Sequence, residues 1–241
     1  MAFIHGKTAQ VLHGVYDLTS YLNEAAASQE VETAETTAFG NSAKTYIVGL
    51  KDGTVSASGM FDGAANAVDE VLAASIGSDT LSPVTVGYSG TTLGSRVSLL
   101  QAKTTSYEVS SPVGDVVSVS YDAQSDGGVD QGVSLAALTS VSATTTGTAD
   151  DNTASSTNGG MAQVHVTVNT RSTTSVIKIA HSADNVTFAD LVTFTTVGIG
   201  ATTSERSLVA TGTTVNRYLR AVNTLAAGSG SITYQVSFAR R

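Results

Sequence analysis

The sequence predicts an all-β protein: a β-sandwich or barrel with one flanking helix over residues 62–76, followed by a second, small C-terminal β-sandwich. Three observations carry this. Val, Thr, Ser, Ala and Gly dominate while charged residues are only 13%, and β-branched side chains suit a pleated surface as glycine suits turns and bulges. Apolar residues recur with a period of two in many short segments. A helical period is clear at one place only.

The elements follow in chain order. Val55, Ala57, Gly59 and Phe61 alternate with small polar residues, and Tyr46, Val48 and Leu50 alternate with Ile47 and Gly49. Val84, Val86 and Tyr88 share a face, as do Val117, Val119 and Tyr121. This is the pattern of half-buried strands. Between them, Ala64, Ala65, Val68, Val71, Leu72 and Ile76 fall on one helical face, with Asp62 placed to cap the start and Gly77 to occupy C′. Residues 23–41 fit neither period. Glu24, Glu30, Glu32 and Glu35 make this stretch polar, and it is expected to be a projecting arm or β-hairpin. In the C-terminal part, Val164, Val166 and Val168, then Ile177 and Ile179, then Ile232, Tyr234, Val236 and Phe238 alternate cleanly. His165, between two valines, is expected on the wetter face. Turns are expected at 182–185 and 228–230.

Residues 141–159 are small and polar, too poor in apolar side chains to order themselves by burial, and predict a linker. The expected division is therefore 1–140, linker 141–159, and 160–241. Charge changes at the same place. Residues 1–140 carry five bases against fifteen acids and the remainder seven against five, giving the total of −8. An acidic chain is a poor ligand for nucleic acid, whose binding needs Lys and Arg to release counterions. A core has no use for unpaired charge, so most of these acids belong at surfaces.

The sequence argues against catalysis and predicts neither cofactor nor metal site. There is no cysteine, which excludes thiol chemistry and disulfides. His5, His13, His165 and His181 show no metal-ligand spacing. Gly87-Tyr88-Ser89-Gly90 lacks the spacing of a nucleophile elbow, Gly198-Ile199-Gly200 is too short for a phosphate loop, and Asp150-Asp151 lacks the alternating oxygens of a calcium loop. The start, MAFIHGKTAQVLHG, has no apolar h-region, and no apolar run approaches bilayer length.

Gly14-Val15-Tyr16-Asp17-Leu18-Thr19, then Glu35-Thr36-Thr37-Ala38-Phe39-Gly40, Ala43-Lys44-Thr45-Tyr46-Ile47-Val48-Gly49-Leu50, Asp52-Gly53-Thr54 and Ser58-Gly59-Met60-Phe61-Asp62 form a succession that resembles the tail tube proteins of long-tailed bacteriophages. It extends weakly to residue 138. The C-terminal part resembles β-sandwich domains appended to phage structural proteins. The resemblance implies a tail-tube-type fold, a ring of copies, usually six, stacked into a non-contractile tail tube, and a virion component assembled in the host cytoplasm. It also implies tape-measure, tail-terminator and tail-tip partners, and DNA that passes without specific binding or membrane contact. Residues 23–41, with Glu24, Glu30, Glu32 and Glu35, occupy the place of the loop that reaches the next ring. Glu108, Asp115 and Asp122 are candidates for an acidic lumen that DNA does not stick to. The 160–241 segment suits a peripheral position. Two alternatives stay open: a secreted or surface adhesion module, and a trimeric, pseudo-hexameric ring with both halves lining the lumen.

Overall fold

The computed structural model describes residues 5–241; the first four residues of the N-terminal reading lie outside them. The chain is nearly all β. Its strands are β1 (Gln10–His13), β2 (Tyr16–Asp17), β3 (Leu22–Glu35), β4 (Tyr46–Met60), β5 (Ser82–Gly87), β6 (Arg96–Ser110), β7 (Ser118–Ser125), β8 (Asp130–Val141), β9 (Thr145–Thr146), β10 (Asp150–Asp151), β11 (Gly160–Asn169), β12 (Ser175–Ser182), β13 (Ala189–Thr193), β14 (Thr203–Val209), β15 (Tyr218–Leu225) and β16 (Ile232–Arg240). The helix α1 is Val68–Ser75.

The chain divides into two compact units, and neither is continuous in sequence. Of the described residues, unit 1 holds 5–20, 82–99 and 130–241; unit 2 holds 21–81 and 100–129. This differs from a division at 140. The reason lies in backbone pairing: β16 bonds along β8 from Ile232↔Val141 to Phe238↔Val133, so the C-terminal strands complete a sheet begun by earlier ones. Residues 141–159 are laced onto β15 rather than left as a linker. Thr145 pairs with Asn223, Asp150 with Leu219, and the Gly147 amide donates to the Ala221 carbonyl at 2.9 Å. Main-chain bonds and the Asp151–Arg217 ion pair order this stretch where side-chain burial could not.

In unit 1, strands pair in the order β14–β11–β16–β8–β6–β5–β1–β2, and β10–β15–β12–β13 with β9 form a second layer. Their inner faces meet over Val164, Val166, Ile177, Ile179, Leu219, Val236 and Phe238, so the C-terminal strands form the two layers the alternation predicts. Full burial of each such side chain stabilises by roughly 1.5–3 kcal/mol. The opposite face of β11 and β16 is polar yet also buried: Gln163, His165, Gln235 and Ser237 have no solvent exposure. This corrects the expectation for His165. A carbonyl only accepts, so His165 Nδ1–H donates to Gly14 O at 2.7 Å, and Nε2 faces Thr85 Oγ1 at 2.8 Å. Burial pushes His165 and His13 down to about 4.

In unit 2, β3, β4, β7 and residues 102–110 of β6 make an antiparallel sheet in that order. α1 lies against one side. Val68, Val71 and Leu72 are buried, Ser75 Oγ meets Thr104 Oγ1 at 2.7 Å, and Tyr107 donates to Asp69 at 2.6 Å. The helix is shorter than 62–76. Asp62 caps a preceding turn through the Ala64 amide, Asn66 takes a positive φ, and Ala64 and Ala65 are exposed. Gly77 does sit at C′ with φ +69°.

Candidate functional site: an open sheet face and a two-stranded ribbon

The two sides of the unit 2 sheet differ in chemistry. On the helix side, register brings together Ala25, Ala57, Tyr121 and Tyr107 in one row, and Val55, Ala123 and Thr104 in the next. Burial, with Asp122 adding, holds the Tyr121 phenol protonated well above its usual range. For Tyr107, burial and then its bond to Asp69 do the same.

The other side is open. Glu24↔Ser58, Ser58↔Ser120 and Ser120↔Glu108 run across all four strands, and Ala26↔Ser56, Ser56↔Asp122 and Asp122↔Ser106 form the neighbouring row. Glu24, Ser56, Glu108, Ser120 and Asp122 are exposed. The same face continues to Glu30, directly opposite Asp52, a like-charged pair that by itself is unfavourable. Gln124 donates to Asp52 and relieves part of that repulsion. The one base in these rows, Lys103, turns to Asp79 at 3.0 Å. The face is thus a flat field of small hydroxyl side chains carrying five carboxylates.

This placement sorts the residues singled out in the sequence. Glu108 and Asp122 share the open face with Glu24 and Glu30. Asp115 does not: it lies in the loop 111–117, where its carboxylate bonds the Val116 amide. Glu35 is paired with Lys44 at 3.0 Å.

The 23–41 stretch is, up to Glu35, the first strand of a long hairpin with β4, and its residues 36–41 belong to the connection at the tip. Among the described residues, only Thr54–Met60 of β4 has a third strand beside it, so from Val31↔Lys51 to Glu35↔Tyr46 the hairpin is a two-stranded ribbon. Val31, Phe39, Tyr46, Ile47, Val48 and Leu50 are exposed on it. The alternation at 46–50 does belong to a strand, but not to a half-buried one. A bulge between Val31 and Thr33 shifts register there, and among the described residues no third strand flanks the ribbon. The unbroken apolar run Tyr46-Ile47-Val48, apolar on both faces, was the available signal. A bare ribbon is marginal in water, and an exposed apolar one is a site for another chain.

Among the described residues, no group of three or more His, Cys, Asp or Glu side chains could hold a metal ion, and no helix is long and apolar enough to cross a membrane.

Comparison with known proteins is sparse at the sequence level: no family model and no curated protein matches the chain. Among solved structures, the chain is similar to a chain of the virion of a native gene transfer agent particle (TM-score 0.43, 16% identity, 54% of this chain and 98% of that one). It is similar to one from the tail of an empty gene transfer agent particle with C6 symmetry (TM-score 0.42, 16% identity, 53% and 97%). A third is the SPP1 Dit protein, described as a paradigm of the hub adsorption apparatus in phages infecting Gram-positive bacteria (TM-score 0.38, 13% identity, 96% and 98%). Likenesses this loose assign neither family nor function, and the functional reading rests on the chain's own geometry.

Proposed function

We propose that this chain is a non-catalytic structural subunit that assembles with copies of itself into stacked rings, forming a tail-type tube through which DNA passes. The observation that carries the reading is the one-sided sheet of unit 2. Its helix side is apolar and, around Val55, Ala57, Tyr121 and Ala123, covered, while its other side is open, serine-rich and acidic, with Glu24, Glu30, Asp52, Glu108 and Asp122 on it.

Such a face suits a lumen. A ring repeats every inward carboxylate once per copy, so a few per chain make a dense negative band. At physiological salt the field reaches about 8 Å, enough to keep a polyanion from settling on the wall. Serines offer a smooth, hydrated surface with no base-specific contact. The ribbon 31–51 is the segment that reaches the next ring, and the six-fold number comes from the sequence resemblance. A ring lined by both units would need a second open face of this kind; the polar side of β11 and β16 is buried instead, which favours one lining unit per copy.

The test is electron microscopy of purified protein, followed by charge reversal. Wild type is expected to form rings or tubes of regular width. The triple variant Glu24→Lys, Glu108→Lys, Asp122→Lys is expected to assemble, because these side chains are exposed, and then to retain DNA with a steep salt dependence. Assembled triple variant that ignores DNA at low salt would remove these residues from the channel.

A further inference from the structure

We infer that unit 2 carries a docking surface for a second copy of this chain: an apolar patch of Met60, Phe61, Val109, Val113 and Val116 that receives the apolar ribbon of the copy stacked on it. This rests on the tube reading and adds the receiving surface, on which that reading is silent.

The two surfaces lie at opposite ends of one strand. β4 has 15 residues, and at about 3.3 Å each it spans roughly 50 Å. One end carries Tyr46, Val48 and Leu50, the last two 75% and 76% exposed; the other carries Met60, followed by Phe61, at 49% and 39%. The Phe61 amide donates to the Val117 carbonyl at 3.0 Å, which brings the loop 111–117 to the same end, with Val113 and Val116 fully or largely exposed. Val109 adjoins them, opposite the buried Val119.

Met60, paired with Ser118, closes the strand on the open side, whereas Val109 at one end and Val31 and Val48 at the other continue the helix side of the sheet. In β3, Ala25, Ala27, Gln29, Val31 and Thr33 share that side, and their partners Lys51 and Val48 face the same way across the bulge. Cover ends at Gln29 and Gly53. Gln29 donates to Val129 O at 2.9 Å, and a Cβ on Gly53 would lie 2.6 Å from Val129. Beyond that point the apolar side has lost its cover. At the far end α1 leaves Val109 uncovered in the same way. A side that is apolar at both uncovered ends is completed when copies repeat head to tail.

Pairing of one ribbon with another through a two-fold is disfavoured. The free edge of β3 carries Glu30 and Glu32, which would oppose their own copies. The receiving loop carries one acid, Asp115, and the ribbon's apolar side carries the exposed Lys51, so the head-to-tail contact brings opposite charges together. A heterologous contact of this kind propagates without closing, which is what a tube requires.

The chain has no cysteine, so single cysteines report the contact directly. Val48→Cys protein and Val113→Cys protein, mixed, assembled and treated with a short bismaleimide, are expected to give a cross-linked dimer at least ten-fold more abundant than either variant alone. Val113→Asp with Val116→Asp is expected to leave single rings and to reduce sedimentable tube at least ten-fold, with the urea midpoint of the subunit unchanged. The milder Val116→Ser, expected to shorten tubes, covers the case in which the double variant misfolds. Tubes of normal length that give no mixed cross-link, or that tolerate the folded double variant, overturn the docking surface and leave the tube reading standing. Cross-linking of Val48→Cys protein with itself assigns a ribbon-to-ribbon contact and overturns it as well. Wild-type protein that forms neither rings nor tubes overturns the tube reading and this surface with it.

Discussion

His13 and His165 are the residues whose chemistry the fold changes most. Both are buried in unit 1, and burial holds each pKa near 4 instead of 6.5; His165 also lowers that of His13. A group whose folded pKa is depressed binds protons in the unfolded chain first. Stability is therefore full above pH 6.5, falls as pH drops from there towards 4, and loses no more from these groups below that. The shifts correspond to roughly 3 kcal/mol per histidine. Urea unfolding at pH 7.0, 6.0 and 5.0 is expected to show a falling midpoint, and His165→Gln to flatten the slope; a constant midpoint over that range would show that the two imidazoles titrate normally. Asp130 is a second residue-scale case. It accepts from Arg206 at 2.6 Å and from Arg241 at 3.0 Å, and the Arg206 side chain is almost wholly buried. Asp130→Asn keeps the shape but removes the charge beside two guanidinium groups, and is expected to cost about 3 kcal/mol, read from the denaturation midpoint.

At the scale of elements, the long hairpin combines a stable root with an unsupported tip. Gly59 anchors the root: a Cβ there would lie 2.1 Å from the Tyr21 carbonyl oxygen, whose acceptor role serves the Met60 amide at 2.8 Å. Gly59→Ala must break that approach. It is expected to destabilise by at least 2 kcal/mol, about the size of a strong backbone clash with loss of a hydrogen bond. The tip is different. Replacing residues 32–50 by an Asn-Gly turn, which joins paired strands in two residues, removes only exposed ribbon. The shortened subunit is expected to melt within a few degrees of wild type and to form rings that do not lengthen into tubes. Normal tubes from this variant would take the ribbon out of ring stacking.

For the whole molecule, the interleaved units decide what can be cut. A chain ending at Ala143 would look complete by composition, yet it leaves β8 without β16 and removes Gln163 and His165 from Thr85 and Gly14. Unpaired β8 amides and a buried polar cluster without partners are each costly. The truncated chain is expected to lose cooperative unfolding and near-ultraviolet circular dichroism, and so to form no rings. A cooperative, folded fragment 1–143 would show that the C-terminal strands are dispensable.

Local pattern determined much of this by itself. The period of two in Val164-Val166, Ile177-Ile179 and Ile232–Phe238 specified strands and which side chains form the core, because a strand alternates its faces whatever its partner. Gly77 marked the helix end, since left-handed backbone favours glycine. The acid excess of residues 1–140 was also plain, as was the arm-or-hairpin character of 23–41. Tertiary structure decided the rest. The strand order that splits both units in sequence, the burial of His165 and the lacing of 141–159 onto β15 all depend on hydrogen bonds between residues far apart in the chain, which composition does not encode. Register alone gathered Glu24, Glu30, Glu108 and Asp122 on one open face and left Asp115 in a loop. Whether an apolar stretch such as Tyr46-Ile47-Val48 is core or surface depends on what packs around it, and among the described residues only β3 pairs with it.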